Sequence, residues 1–146
     1  METSGAVIGS QYCAAATNST GDSAWIAARG FFTSVNGPFR LDCVQMPQNS
    51  FGHFLVSNQS GFVMNPAGSQ GHLCVQGSVG RFNRPGEIMS SGSTGSFSLL
   101  NVDATAFPSP TGLVSAQPGE SWYFQCWFRD IGPSSNLSSA IDITFD

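Results

Sequence analysis

The apolar and polar positions of this chain show no 3.6-residue periodicity sustained over ten residues. Short alternating runs recur instead, each bounded by Gly, Pro, Asn or Ser. They cover residues 23–29, 39–46, 51–57, 61–64, 71–75, 79–83, 96–102, 113–117, 121–130 and 140–145. About ten short strands at this spacing predict an all-β chain. The expected form is a two-sheet antiparallel β-sandwich of jelly-roll type, with essentially no helix. The chain reads as one domain over residues 1–146, with residues 1–11 expected to be a flexible leader.

The run 121–130, SWYFQCWFRD, carries the most information. Side chains alternate across a strand, so Trp122, Phe124, Cys126 and Phe128 share one face and Tyr123, Gln125, Trp127 and Arg129 the other. The first set is wholly apolar and predicts core. The second mixes two aromatics with an amide and a guanidinium, which predicts a partly wet face. Over 39–45, Phe39, Leu41 and Cys43 point one way while Arg40 and Asp42 point the other. Trp25, Phe31 and Phe32 are expected in the core rather than at a site.

Composition then narrows the class. The 146 residues are 40% hydrophobic, enough for a real core and too many for a disordered segment. Only 10% are charged, against roughly 25% in ordinary soluble domains, and there is no lysine. The five cations are Arg29, Arg40, Arg81, Arg84 and Arg129. A net charge of −4 argues against nucleic acid and against an anionic membrane surface. No stretch approaches the roughly 20 apolar residues of a membrane span, so no membrane insertion is expected. No charged n-region followed by an apolar h-region opens the chain. No signal peptide is therefore expected in it, and it reads as a mature fragment.

Four cysteines, Cys13, Cys43, Cys74 and Cys126, contain no C-x-x-C, and only two histidines accompany them. Zinc is therefore not expected, and two disulfides in an oxidising compartment are. Spacing leaves three connectivities open. The strand faces favour one. Cys43 and Cys126 both lie on core-facing sides, whereas Cys74 shares a face with His72 and Gln76 while Leu73 and Val75 look inward. Cys13 sits in a polar N-terminal stretch that needs anchoring. The expected pairs are Cys13–Cys74 and Cys43–Cys126, each worth roughly 3–5 kcal/mol by loop closure.

Several segments together resemble a known family. They include Gly71-His72-Leu73-Cys74, Gly77-Ser78-Val79-Gly80-Arg81-Phe82 and Arg84-Pro85-Gly86-Glu87-Ile88. Gln117-Pro118-Gly119-Glu120, Trp122, Phe124-Gln125, Trp127-Phe128-Arg129-Asp130 and the ending Ser135-Asn136-Leu137-Ser138…Ile143-Thr144-Phe145 complete the pattern. It is similar to a C-terminal module of secreted planctomycete and myxobacterial proteins, usually W-N-F-Q-x-W-[YF]-R-D…S-N-[LF]-[ST]…V-T-F. The likeness covers most of the chain from Tyr12-Cys13 onward. It implies a non-catalytic accessory domain on an exported bacterial protein, with no ligand attached to the family. The family pattern holds the equivalents of Cys13 and Cys74. Cys43 and Cys126 depart from it, which supports the same pairing; Tyr123, where the family usually has Asn, is a third departure and adds an aromatic to the outer face.

Candidate chemistry is thin. A triad needs a histidine beside a nucleophile and a carboxylate. His53 and His72 lie in no such motif and read as ordinary strand residues. Glu87 and Glu120 each follow Pro-Gly and read as turn residues rather than a glycosidase pair. No cofactor is expected; a structural calcium would draw on Asp103, Asp130, Asp142 and Asp146, which are scattered. Asn18, Asn58 and Asn136 open glycosylation sequons of the kind that arise by chance in Asn- and Ser-rich chains.

The candidate ligand-binding residues are Tyr123, Gln125, Trp127 and Arg129, since flat aromatics stack on sugar rings and amide or guanidinium groups bond hydroxyls. The competing expectation is that a loop or neighbouring strand covers this face, with Arg129 stacked on Trp127. The sequence therefore predicts an extracellular or cell-surface recognition module without enzymatic activity, whose partner is polysaccharide or cell-surface glycan. The alternative is a structural subunit that self-associates through strand edges.

Overall fold

The computed structural model describes residues 5–31, 33–66, 69–130 and 134–146. It is 54% strand and 3% helix, which makes the chain all-β. Two antiparallel sheets form a sandwich. The first contains β1 (Ala6–Ile8), β3 (Trp25–Gly30), β4 (Phe39–Val44) and β10 (Phe97–Val102), in that order across the sheet. The second runs β2 (Ser10–Cys13), β14 (Ser135–Thr144), β13 (Ser121–Arg129), β5 (Phe51–Ser57) and β8 (Gly80–Arg81), with β9 (Met89–Ser90) also on β5. Two hairpins complete the fold, β6 (Gln59–Met64) with β7 (His72–Gln76), and β11 (Phe107–Ser109) with β12 (Gly112–Val114).

The alternation explains the layers. Ile26 and Ala28 of β3, Phe39, Leu41 and Cys43 of β4 and Phe97 of β10 face Phe54, Val56, Trp122, Phe124, Cys126, Phe128, Ile141 and Ile143 of the second sheet. Edge-to-face rings join the sheets, Phe39–Phe124 at 5.7 Å and Phe54–Phe97 at 5.5 Å. Phe107, at the start of its hairpin, packs against Phe39 and Phe124 as well. Trp25 and Phe31 depart from the expected core positions, at 49% and 72% exposure. Ile26 takes the inward side of β3, which leaves Trp25 beside Val44 on the outer surface. Phe32 lies outside the described residues.

The N-terminal stretch departs from expectation too. Residues 6–8 and 10–13 are edge strands of the two sheets rather than a leader. Gly9, at φ +79°, turns the chain from one sheet to the other, and a Cβ there would strike the backbone of Asp142. Edge strands of three and four residues give too short a run to show alternation, and ladder hydrogen bonds hold them. The 89–90 and 107–109 pairings are likewise too short to register as runs.

Cys13 and Cys74 form the expected disulfide, which ties the edge strand β2 to β7. The second expected bond is absent: Cys43 and Cys126 are free, fully buried thiols. Their cross-strand neighbours are Phe97 and Phe54, so the aromatic pair between the sheets sits beside them. Burial, followed by the neighbouring Cys43 thiol, pushes the Cys126 thiol well up. Disulfide exchange needs a thiolate, and this environment disfavours one. The two cysteines act as small apolar core residues.

Candidate functional site

The outer face of β13 is the predicted site, and the structure divides its four residues. The β6–β7 hairpin crosses this face and covers its middle. Leu73 and Val75 of β7 join Leu55, Leu137, Val79, Tyr123 and Trp127 in a second, smaller apolar cluster. Gly71 allows the approach: a Cβ there would meet the Asn136 side chain and the Leu137 backbone N. Cys74, expected on a wet face, is fully buried under this packing.

Gln125 is fully buried and both polar atoms of its amide are engaged. Its Oε1 accepts from the Cys74 N–H at 2.9 Å, and its Nε2 donates to the carbonyls of His72 and Ser138 at 2.8 Å each. It fastens the hairpin to the sheet and cannot contact a ligand. That corrects its assignment as a binding residue. A buried amide is tolerated only when its hydrogen bonds are made, and β7's main chain supplies partners that the sequence does not reveal.

Tyr123 is drawn to the N-terminal edge. Its ring meets Tyr12 edge to face at 5.5 Å, and the Tyr12 hydroxyl donates to the Cys74 carbonyl at 2.6 Å. Burial, then Tyr123 and Asp142, raise the Tyr12 pKa, so the phenol stays protonated and remains a donor.

Trp127 and Arg129 remain at the surface. Trp127 is half-buried, and the Arg129 guanidinium lies 5.2 Å from its ring centroid. A bulge in β14 helps to set this geometry. Gln125 pairs with Ala140, yet Trp127 pairs with Leu137, which leaves Ser138 and Ser139 opposite Cys126. Ser138 Oγ accepts the Cys126 N–H at 2.9 Å and fills the gap. Trp127 thus stands between Leu137 on one side and His53 of β5 on the other. The His53 ring sits 5.3 Å from the indole, tilted by 36°.

Trp127 and His53 line a groove of about 450 Å³. His53, Leu55, Trp127 and Leu137 come from the second sheet, while Pro66, Ser69 and Leu73 come from β7 and the stretch before it. Val79 and Arg81 complete it from the segment around β8. Burial first, then the charge of Arg81, lowers the His53 pKa, so at neutral pH the ring is uncharged. Period-two alternation in 51–57 would have put His53 and Leu55 on an outer face. That β5 pairs with β13, and in this register, was not legible.

The other candidates settle into structural roles. His72 packs on Phe62 at 5.0 Å. Glu87 accepts from the Arg84 backbone, and Glu120 from Gln117 N–H at 2.7 Å and Trp122 Nε1 at 3.2 Å, so both close Pro-Gly turns. Asp103 accepts from Thr105, which lowers its pKa, and Asp146 from Thr33. Asp130 accepts from the Ser19 N–H. Among the described residues, no three metal-ligating side chains converge. Asn18 and Asn136 are buried, which closes those two sequons in the folded protein. No helix among the described residues is long and apolar enough to cross a membrane.

By fold and site, the protein is an antiparallel β-sandwich with a half-open aromatic groove on one sheet. Comparison with family models, curated proteins and solved structures returns no match.

Proposed function

We propose that this chain is a non-catalytic extracellular recognition module that attaches its parent protein to polysaccharide through the Trp127 groove. The observation that carries this reading is the half-exposed indole set in an apolar groove on rigid strands. A sugar ring presents a C–H face that packs on such an indole, while Arg129 and His53 hold the ring's orientation. Among the described residues the groove's lining includes no carboxylate pair, and the Ser69 hydroxyl donates to the Ser135 carbonyl, which supports binding over hydrolysis. The Cys13–Cys74 disulfide supports an oxidising, extracellular setting. The resemblance to accessory modules of exported proteins points the same way.

Affinity electrophoresis against a panel of soluble polysaccharides tests the reading. Retardation by at least one polymer is expected, and Trp127→Ala should abolish it while the far-UV circular dichroism stays unchanged. Retardation that survives this substitution would remove the groove from the account. A protein that no polysaccharide retards would remove the function.

Self-association is the second reading, and β6 favours it. Among the described residues β6 pairs only with β7, and it exposes Phe62, Val63 and Met64. An apolar strand with an open edge can template pairing with another copy. Light scattering would then report assemblies, and Val63→Lys should disperse them.

A further inference from the structure

We infer that the Trp127 groove prefers an anionic sugar unit, one bearing a carboxylate or a sulfate ester, over a neutral one. The inference rests on the reading that the groove takes sugar, and it follows from which polar groups reach that groove.

The chain carries nine carboxylates and five arginines, for a net charge of −4, yet among the described residues no Asp or Glu lines the groove. Three arginines have carboxylate partners elsewhere: Arg29 and Arg40 share Asp42, and Arg84 engages Glu87 at 2.9 Å. Arg81 differs. Among the described residues it has no carboxylate within ion-pairing distance, and it opens onto the groove beside His53. Arg129 stacks on the Trp127 indole beyond the groove's lining, so Arg81 is the guanidinium on which the inference rests.

Donor and acceptor inventory makes the same point. A guanidinium only donates, and the neutral imidazole of His53 offers one donor and one acceptor. Ser69 Oγ already donates to the Ser135 carbonyl at 3.1 Å and accepts from the Gly71 N–H. The groove's polar edge is therefore rich in donors and poor in acceptors. Hydroxyls of a neutral sugar need both kinds of partner, whereas a carboxylate or sulfate needs donors alone. The planar fork of Arg81 suits either anion through paired hydrogen bonds. Long-range attraction cannot supply the preference, because the protein as a whole repels polyanions.

Two matched pairs of polymers test this by affinity electrophoresis at near-physiological salt: polygalacturonate against its carboxyl-reduced form, and dextran sulfate against dextran. At least one anionic polymer should bind about tenfold more tightly than its neutral partner, and the pair that responds identifies the anion. Arg81→Gln should erase most of that preference. Arg84→Gln, which removes an equal charge outside the groove, should leave it within about twofold. Equal binding of both members of each pair overturns the inference and leaves the recognition reading standing. So does an equal loss in the two arginine variants, which would mean diffuse attraction. If none of these polymers nor any of the wider panel is retained, inference and reading fall together.

Discussion

The inner and outer faces of β13 are built from the same nine residues and have different fates. Inward, Trp122, Phe124, Cys126 and Phe128 meet a whole opposing sheet, and all four are buried. Outward, Tyr123 packs on Tyr12 of β2, and the β6–β7 hairpin reaches the middle of the face and stops. Gln125 lies under it, fully buried, while Trp127 at its margin stays half-open. A sheet-on-sheet contact consumes an apolar face completely. A partial cover makes a groove, with a buried polar fastener on one side and an accessible aromatic on the other.

The sharpest way to break this comparison is to truncate a tryptophan on each face. Trp122→Ala should destabilise the fold by about 3–5 kcal/mol, because a filled core site becomes a cavity. Trp127→Ala should cost less, about 1–2 kcal/mol, since its side chain is only partly buried and leaves an open groove rather than a closed cavity. Urea unfolding measures both, and similar losses would mean that the outer face is packed interior as well.

Next comes the staple that holds β2 to β7. The disulfide closes a separation of 61 residues, so a Cys13→Ala/Cys74→Ala variant should lose about 2–4 kcal/mol. Thiol titration provides the companion check. The native protein should show no reactive thiol, and the denatured, unreduced protein should show two, from Cys43 and Cys126. A denatured protein without thiols would mean that the core cysteines are joined.

The fastener itself is a smaller effect. Gln125→Leu keeps the volume but leaves the Cys74 N–H and the His72 and Ser138 carbonyls without their partner, at about 1–3 kcal/mol. The loss should appear first as faster hydrogen exchange in β6 and β7, ahead of the central strands. Uniform exchange across the molecule would show that the hairpin does not open separately.

The smallest expected effect is pH-dependent. His53 has a folded pKa below its unfolded value of about 6.5, so the unfolded chain binds the extra proton more readily. Its contribution is fully present above that unfolded value and is lost as pH falls through the lowered folded one. His53→Gln should flatten this part of the stability profile. An unchanged slope below pH 6.5 would assign the acid sensitivity to other groups.

Much of the fold was legible because one physical rule governs it. Period-two alternation assigned the buried sides of 39–44 and 121–129, and it located 51–57 to the residue. Turn chemistry put Glu87 and Glu120 in Pro-Gly turns rather than at a site. The short N-terminal strands escaped, since backbone ladders and a disulfide do most to hold runs of three and four residues.

The site divides along the same line. The sequence by itself determined that Trp127 stands on the side of its strand opposite to the core, because side-chain alternation is a local property. Only the tertiary structure decided that Gln125 is a fastener, that Cys43 and Cys126 remain thiols, and that His53 and Arg81 join Trp127. Each of those outcomes depends on which strand lies beside or above another, and in what register. Pairing between distant segments is set by the fit of whole faces, and no single segment encodes it.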